Sequence, residues 1–356
     1  MSVVGRFIDW TTPEAHSALL GRNGRIGMLV VGIVLAVLAP VGYLVQPFWI
    51  NIAVRILIFA LFALSFDFAF GHGGLASFGH AAMFGTAGYA VAFMLQSVTQ
   101  NVVVVLSAAV VVGVFVAAVL AWLSARAREI YFAFLTLAFA QMFYVAALRD
   151  IPAVVLGVEA ITQGDNGIVA LPTYELFGMS FGPVLNYYYL TLVLVAVSVV
   201  LVLRIANSPF GRVMLSIREN EDRVAFLGYD VRKYKIVGFA ISGGFAGLAG
   251  GLFVPFQSLV HPNMLFWTMS GDVFLMTLLG GMGTLWGPMV GAAVVILIED
   301  TFTTNWKVVL GTFYVVVVIF APKGLASLLR SVSREPERAV ANVRNALRTY
   351  VEKVRS

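Results

Sequence analysis

The chain contains no cysteine, which excludes disulfides and thiolate-held metals. It is also poor in charge. Only 12% of its 356 residues are Asp, Glu, Lys or Arg, against roughly 25% in soluble domains, so an ordinary water-facing surface cannot be built from it. Histidine is scarce, with four in all at positions 16, 72, 80 and 261. His72 and His80 flank a glycine-rich stretch, but two histidines eight apart with no third ligand do not define a metal site. The phosphate-binding pattern Gly-x-x-x-x-Gly-Lys-Ser/Thr is missing, so any ATP hydrolysis would belong to another chain. No nucleophile, base and orienting group fall in a plausible array, which argues against an enzyme.

What the chain has in excess is apolar residues, 60% of the total. They come in long runs, such as 26–45 and 187–203. A helix needs about 20 such residues to cross ~30 Å of hydrocarbon. Lipid offers no partner to a bare amide, so spanning segments are helical; a β-barrel would show short alternating strands instead. The fold class read from these runs is all-α, a polytopic membrane helix bundle of about ten transmembrane helices. The expected spans are 26–45, 50–70, 74–95, 102–124, 130–148, 187–204, 235–257, 268–281, 284–300 and 307–321. A polar leader, residues 1–25, precedes them with Arg6, Arg22 and Arg25. The first run is read as a retained helix, because no small-residue cleavage site follows it.

The net charge of +5 does not point to nucleic acid once its distribution is considered. With a cytoplasmic N-terminus, the inside segments are the leader, 125–129, 204–235 and 322–356. They hold twenty of the 23 Lys and Arg residues. Arg149 and Lys307 fall outside, and Arg55 falls within a span. This is the positive-inside pattern. Span 268–281 is short and carries Asp272, but removing it would place the basic tail outside. Ten crossings with both termini cytoplasmic are therefore expected, enclosing a transmembrane domain over 26–321.

Two polar segments interrupt the bundle. The outer one, 149–186, contains the turn Thr162, Gln163, Gly164, Asp165, Asn166 and Gly167. The inner one, 205–234, offers Ser208 as N-cap with Pro209 at the first helical position, and Gly228 as a stop. Asp230 is placed to cap the next span. The short helix between carries Arg218, Glu219, Glu221, Asp222 and Arg223. Two glycine ladders, Gly243, Gly247 and Gly251 and then Gly283, Gly287 and Gly291, are spaced by four, which predicts faces for close helix packing. In the tail, 322–356, Val340, Val343, Leu347, Tyr350 or Val351, and Val354 recur at helical spacing among Arg338, Arg344, Arg348 and Lys353, as in a helix lying on membrane lipid; the alternative is a docking site for a cytoplasmic partner.

Polar groups inside spans are candidates for a translocation pathway. Asp67, His80 and Gln141 are the ones considered. Asp67 either lines a path or caps the glycine-rich break at Gly71. His80 either lines a pore or makes a helix-terminal hydrogen bond, and Gln141 either faces a pore or bonds another helix. Arg55 lies twelve residues before Asp67, about 18 Å along a helix, too far to pair with it, and is expected to snorkel to the interface.

Five ordered stretches carry a family resemblance. They are Ala63-Leu-Ser-Phe-Asp67 through Gly71-His-Gly-Gly-Leu-Ala-Ser-Phe-Gly-His-Ala-Ala82, then Ile130-Tyr-Phe-Ala-Phe-Leu-Thr-Leu-Ala-Phe-Ala140, and the outer turn at 162–167. Ser208-Pro-Phe-Gly-Arg212, with Ile217-Arg-Glu-Asn-Glu221, Leu227-Gly-Tyr-Asp230 and Tyr234-Lys235, forms the fourth; Gly280-Gly-Met-Gly-Thr-Leu-Trp-Gly-Pro288 is the last. Together they resemble the branched-chain amino-acid ABC permeases, M-type subunit, over about 26–325. Gln163 departs from the family's glycine, and His72 from a common tyrosine. The resemblance implies a type II ABC-importer-like permease in a bacterial inner membrane. It implies an H-type permease as heterodimer partner, two ABC ATPase subunits that bind ATP and Mg, and a periplasmic substrate-binding protein. No cofactor in this chain is implied, and the helix after Pro209 would dock on an ATPase. Substrates in the family include branched-chain amino acids, urea, short amides and aromatic carboxylates. The alternative reading is an ion-coupled secondary transporter working through Asp67, which leaves the isolated charged helix unexplained.

Overall fold

A computed structural model describes residues 47–127, 130–157, 160–302, 306–320 and 324–326. The leader, the expected span 26–45 and the amphipathic repeat of the tail lie outside the described residues. The described chain is a mostly helical membrane bundle. Helix α1 (Pro47–Asp67) continues into a π-helical turn, Phe68–His72. Then come α2 (His80–Ser97), α3 (Val102–Ser124), α4 (Ile130–Leu148), the single-turn α5 (Ile151–Leu156) and α6 (Val184–Ala206). The polar segment folds as α7 (Pro209–Glu219) and α8 (Glu221–Phe226). Helices α9 (Val231–Gln257), α10 (Trp267–Gly280), α11 (Gly287–Thr301) and α12 (Trp306–Phe320) complete the order.

Five helices, α1 with its π turn, α3, α4, α6 and α9, are long and apolar enough to cross a bilayer. Helices α10 and α11 have 14 and 15 residues, about 21–23 Å of helix, less than a full hydrocarbon crossing. The span expected at 74–95 begins only at His80, because 73–79 is a glycine-rich turn that the π-helical end of α1 leads into.

Helix α9 is the axis of the bundle and packs most extensively on α3, then on α2 and α1. Glycines permit this closeness. A Cβ on Gly113 of α3 would collide with the Gly243 carbonyl, and one on Gly247 would sit 2.5 Å from the Ala109 carbonyl oxygen. Where α9 nears its end, Pro255 lacks the N–H that Gly251 O would take in an uninterrupted helix. Tyr174 Oη supplies the missing donor at 2.7 Å, and Tyr187 Oη donates to the neighbouring Leu252 carbonyl. Both tyrosines are buried, so the proline break is satisfied by the segment that folds over it.

That segment forms the ribbon end of the bundle. Ile168–Val169 (β1) pairs antiparallel with Leu259–Val260 (β4), and Glu175–Leu176 (β2) with Met179–Ser180 (β3). The opposite end carries α7 and α8. As the sequence suggests, Ser208 Oγ accepts from Gly211 N, Pro209 is the first helical residue, and Asp230 accepts from Lys233 N. The expected single helix is in fact two. Asn220 is extended, at φ −161°, and its side chain caps α8 by accepting from Arg223 N at 2.8 Å. A short polar side chain that bonds the backbone ahead of it starts a new helix in preference to continuing the old one.

Candidate functional site

At the α7 end, three pieces of chain distant in sequence interlock. The π turn is the first. An α-helix closes each N–H on the residue four before it, but here Gly73 N reaches Phe68 O, five before it, and Leu75 N reaches Ala69 O, six before it. The turn 281–286 between α10 and α11 is the second. It contains Gly281, Gly283 and Leu285 at φ 115°, 78° and 62°. Left-handed residues in such a run turn backbone N–H groups toward one side, forming an anion-binding nest. The nest is filled from within the protein. Gly283 N donates to Asp67 Oδ1 at 2.6 Å and Leu285 N to Asp67 Oδ2 at 2.9 Å. Asp67 is fully buried.

Helix α7 is the third piece. Its apolar face, Met214, Leu215 and Ile217, is buried. Arg218 Nη1 donates to the Gly71 carbonyl, and His72 Nε2 lies 3.0 Å from Gly211 O. Burial pulls the Arg218 guanidinium below its ordinary pKa, while the Asp67 and Glu219 carboxylates oppose that; an arginine stays charged regardless. The glycines at 71, 73 and 74 let this contact close. A Cβ on Gly71 would collide with Asp67 Oδ1, one on Gly73 would lie 2.6 Å from Met214 Cε, and one on Gly74 2.9 Å from Arg218 Cγ.

Helix α8 differs from α7. Phe226 is 91% and Leu227 72% exposed, and Gly228 follows at φ 87°. Glu219 and Arg223 are exposed on this surface. Glu221 pairs with the buried Lys235 of α9 at 2.6 Å. Asp222 is also engaged within the chain. Sequence reading named Lys235 only within the Tyr234-Lys235 motif; its partner lies fourteen residues earlier, on another helix.

The other pathway candidates separate. His80 is fully buried where α2 meets α9, with Nε2 2.9 Å from Ser242 Oγ, which in turn donates to Ser65 O at 2.6 Å. Since the serine has one proton and gives it to a carbonyl, His80 Nε2 is the donor in its bond. Gln141 lies on α4, and its shielded Nε2 has no hydrogen-bond partner among the described residues. Arg55, read as a residue of the interface, has acidic partners on another helix. It pairs with Glu299 at 2.7 Å and Asp300 at 2.6 Å on α11, tying the two helices at the ribbon end.

At that end the turn containing Thr162 is organised by Asp150, which sequence reading did not single out. Asp150 accepts from Ile161 N, Thr162 N and Gln163 N at 2.9, 2.9 and 3.2 Å. Burial would raise its carboxyl, but these backbone bonds and the Thr162 hydroxyl together hold it below the usual carboxylate range. Thr162 Oγ1 also bonds Ala147 O. Gly164 and Gly167 have positive φ, a Cβ on Gly167 would strike the Val260 carbonyl, and Asp165 and Asn166 are exposed.

The two glycine ladders are not alike. Gly243, Gly247 and Gly251 all meet α3, at Ala117, Gly113 and Ala109 respectively. Gly287 and Gly291 meet the end of α10, at Gly280 and Met276. Gly283 is not on a helix face with them; it belongs to the 281–286 turn and gives its N–H to Asp67.

Membrane-length helices thus pack around one central helix, α9, with a polar two-helix unit at one end, and together they define a polytopic membrane protein. The family model described as "Branched-chain amino acid transport system / permease component" matches residues 48–321, and the chain belongs to that family. It is 26% identical over 328 residues to the high-affinity branched-chain amino acid transport system permease protein LivM of Escherichia coli (strain K12), covering 85% of this chain and 75% of that protein. The corresponding LivM of Salmonella typhimurium matches to the same extent. A probable branched-chain amino acid transport permease protein LivH of Methanocaldococcus jannaschii is 27% identical over 131 residues, 35% of this chain and 39% of that one. No solved structure matches. The chain is thus a LivM-like, multi-pass transport permease and not an enzyme.

Proposed function

We propose that this chain is the M-type permease subunit of an ABC importer in a bacterial inner membrane. It works beside an H-type permease, with two ATPase subunits that bind ATP and Mg and a periplasmic binding protein that delivers substrate. Ten crossings place both termini and the α7–α8 unit in the cytoplasm, following the basic residues. The cargo is a branched-chain amino acid or a related small amino acid, amide or carboxylate. Transport proceeds by alternating access, the α7–α8 unit receiving the ATPase cycle.

The observation that carries this reading is the α7–α8 unit itself: a charged pair of helices inserted between two membrane helices, anchored on one side and open on the other. The ion-coupled alternative would need Asp67 to be available, and both its oxygens accept backbone bonds. The ATP-driven reading is the better supported for that reason.

The test uses the whole importer in proteoliposomes, with [14C]leucine as the probe and binding protein supplied. The exposed Phe226 is the residue to change. Phe226→Asp should leave membrane insertion unchanged, and should reduce co-purification of the ATPases and ATP-dependent uptake at least tenfold. Normal co-purification with normal uptake would overturn the assignment of this surface.

A further inference from the structure

We propose that Asp67 and Arg218 are positioning residues of transport that link the coupling unit mechanically to the α10–α11 turn. The inference rests on the reading of α7–α8 as the ATPase-facing unit and adds how its motion enters the bundle. Arg218 sits at the end of α7, but its guanidinium points into the bundle and donates to Gly71 O. Four residues earlier on the same strand of chain, Asp67 holds the 281–286 turn by two backbone bonds. The path is therefore α7, then the π turn, then the turn that begins α11, with each joint made by a charged group bonded to backbone. Bonds from charged groups to backbone are stronger than neutral ones.

Both joints are close-fitting. Gly71 has no room for a Cβ between Asp67 and Gly283 N, and Gly74 none beside Arg218. Gly324, after α12, also closes on this spot, since a Cβ there would collide with the backbone of Gly281. A packed contact of this kind transmits displacement in place of absorbing it. By contrast, α8 joins the rest through the extended residue Asn220 and through Glu221–Lys235. Motion received at α8 thus reaches α9 through Glu221–Lys235 and the chain itself, and reaches α10 and α11 through α7, Arg218 and Asp67.

The absence of native cysteine makes the chain a clean background for paired spin labels. Cysteines at exposed Ser216 on α7 and at Met282 in the turn are each paired with one at Val98, at the ribbon end. Distances are measured in the assembled importer with and without ATP. The unsubstituted linkage should show an ATP-dependent shift at both 216 and 282. In Asp67→Asn the shift at 216 should persist and that at 282 should fall about fourfold or more, since the amide cannot accept from both N–H groups. Arg218→Gln, half-buried at a helix end and thus milder for folding, should give the same pattern. A purely packing role would reduce assembly without separating the two positions. If 282 still shifts fully in assembled Asp67→Asn or Arg218→Gln, the linkage is wrong while the coupling assignment stands. If 216 shows no shift even with Asp67 and Arg218 in place, the coupling assignment fails and the linkage with it.

Discussion

Two turns in this protein are each held by an aspartate that gathers backbone N–H groups, and they differ in every other respect. Asp150 binds residues eleven to thirteen positions further on, at the ribbon end, in a partly exposed loop. Asp67 binds residues more than two hundred positions away, with no exposure at all. The first closes a small loop, and its loss frees only that loop. The second joins separate helices, and a buried carboxylate left without its donors costs far more than an exposed one. The same chemistry is thus a local staple in one place and a tertiary joint in the other. Distance along the chain and access to water decide which.

The comparison can be pressed hardest at the buried joint. Gly71→Ala forces a Cβ between Asp67 and Gly283. Overpacking of this kind costs about 1–3 kcal/mol, and the displaced carboxylate adds to it. The purified subunit should lose several degrees of melting temperature, and the yield of assembled importer should drop sharply. An unchanged melting temperature would show that the joint yields easily and that the two turns are alike after all.

A smaller effect is expected at the exposed turn. Asp150→Ala removes acceptors for three N–H groups that water can reach. Amide exchange at 161–163 should accelerate about tenfold, the equivalent of one modest hydrogen-bond contribution, with the melting temperature nearly constant. A global loss of stability would mean that the ribbon end is not an independent unit.

The smallest effect is a pH dependence, and its sign is fixed by the direction of the shift. The folded Asp150 carboxyl lies below its ordinary value, so its stabilising contribution is full above the unfolded pKa of about 3.9. It is lost as pH falls through the lower, folded value. Exchange protection at 161–163, corrected for intrinsic rate, should stay level from pH 8 to 5 and decline only below about pH 4. A decline already complete at pH 5 would contradict the backbone bonds that hold the carboxyl down.

How much of this was legible beforehand follows the same division. Apolar runs and caps are local, and Ser208, Pro209 and Asp230 act where the sequence places them. The partners of Asp67 and Arg55 are not local. Glu299 and Asp300 stood at the end of an expected span with nothing to connect them to Arg55, so a lone interfacial cation was the available reading. Gly283 shared a spacing with Gly287 and Gly291, yet spacing alone cannot tell a helix face from the turn before it. Asn220 was a clearer missed signal, because asparagine ahead of Glu and Asp is a recognisable helix start. Glu221 shows the cost of reading charge as surface. Its carboxylate pairs with Lys235, so reversing Glu221 would bring two cations together where that pair stands.

The π turn at the end of α1 has one more physical consequence. A π turn stores one residue more than an α turn spanning the same length. Drawing that residue into regular helical register would move the following glycine loop by about 1.5 Å and swing it by about 100°, with no helix unfolded. Helix α1 therefore ends in a discrete one-residue step of register, located between the carbonyl that takes the bond from Arg218 and the carboxylate of Asp67.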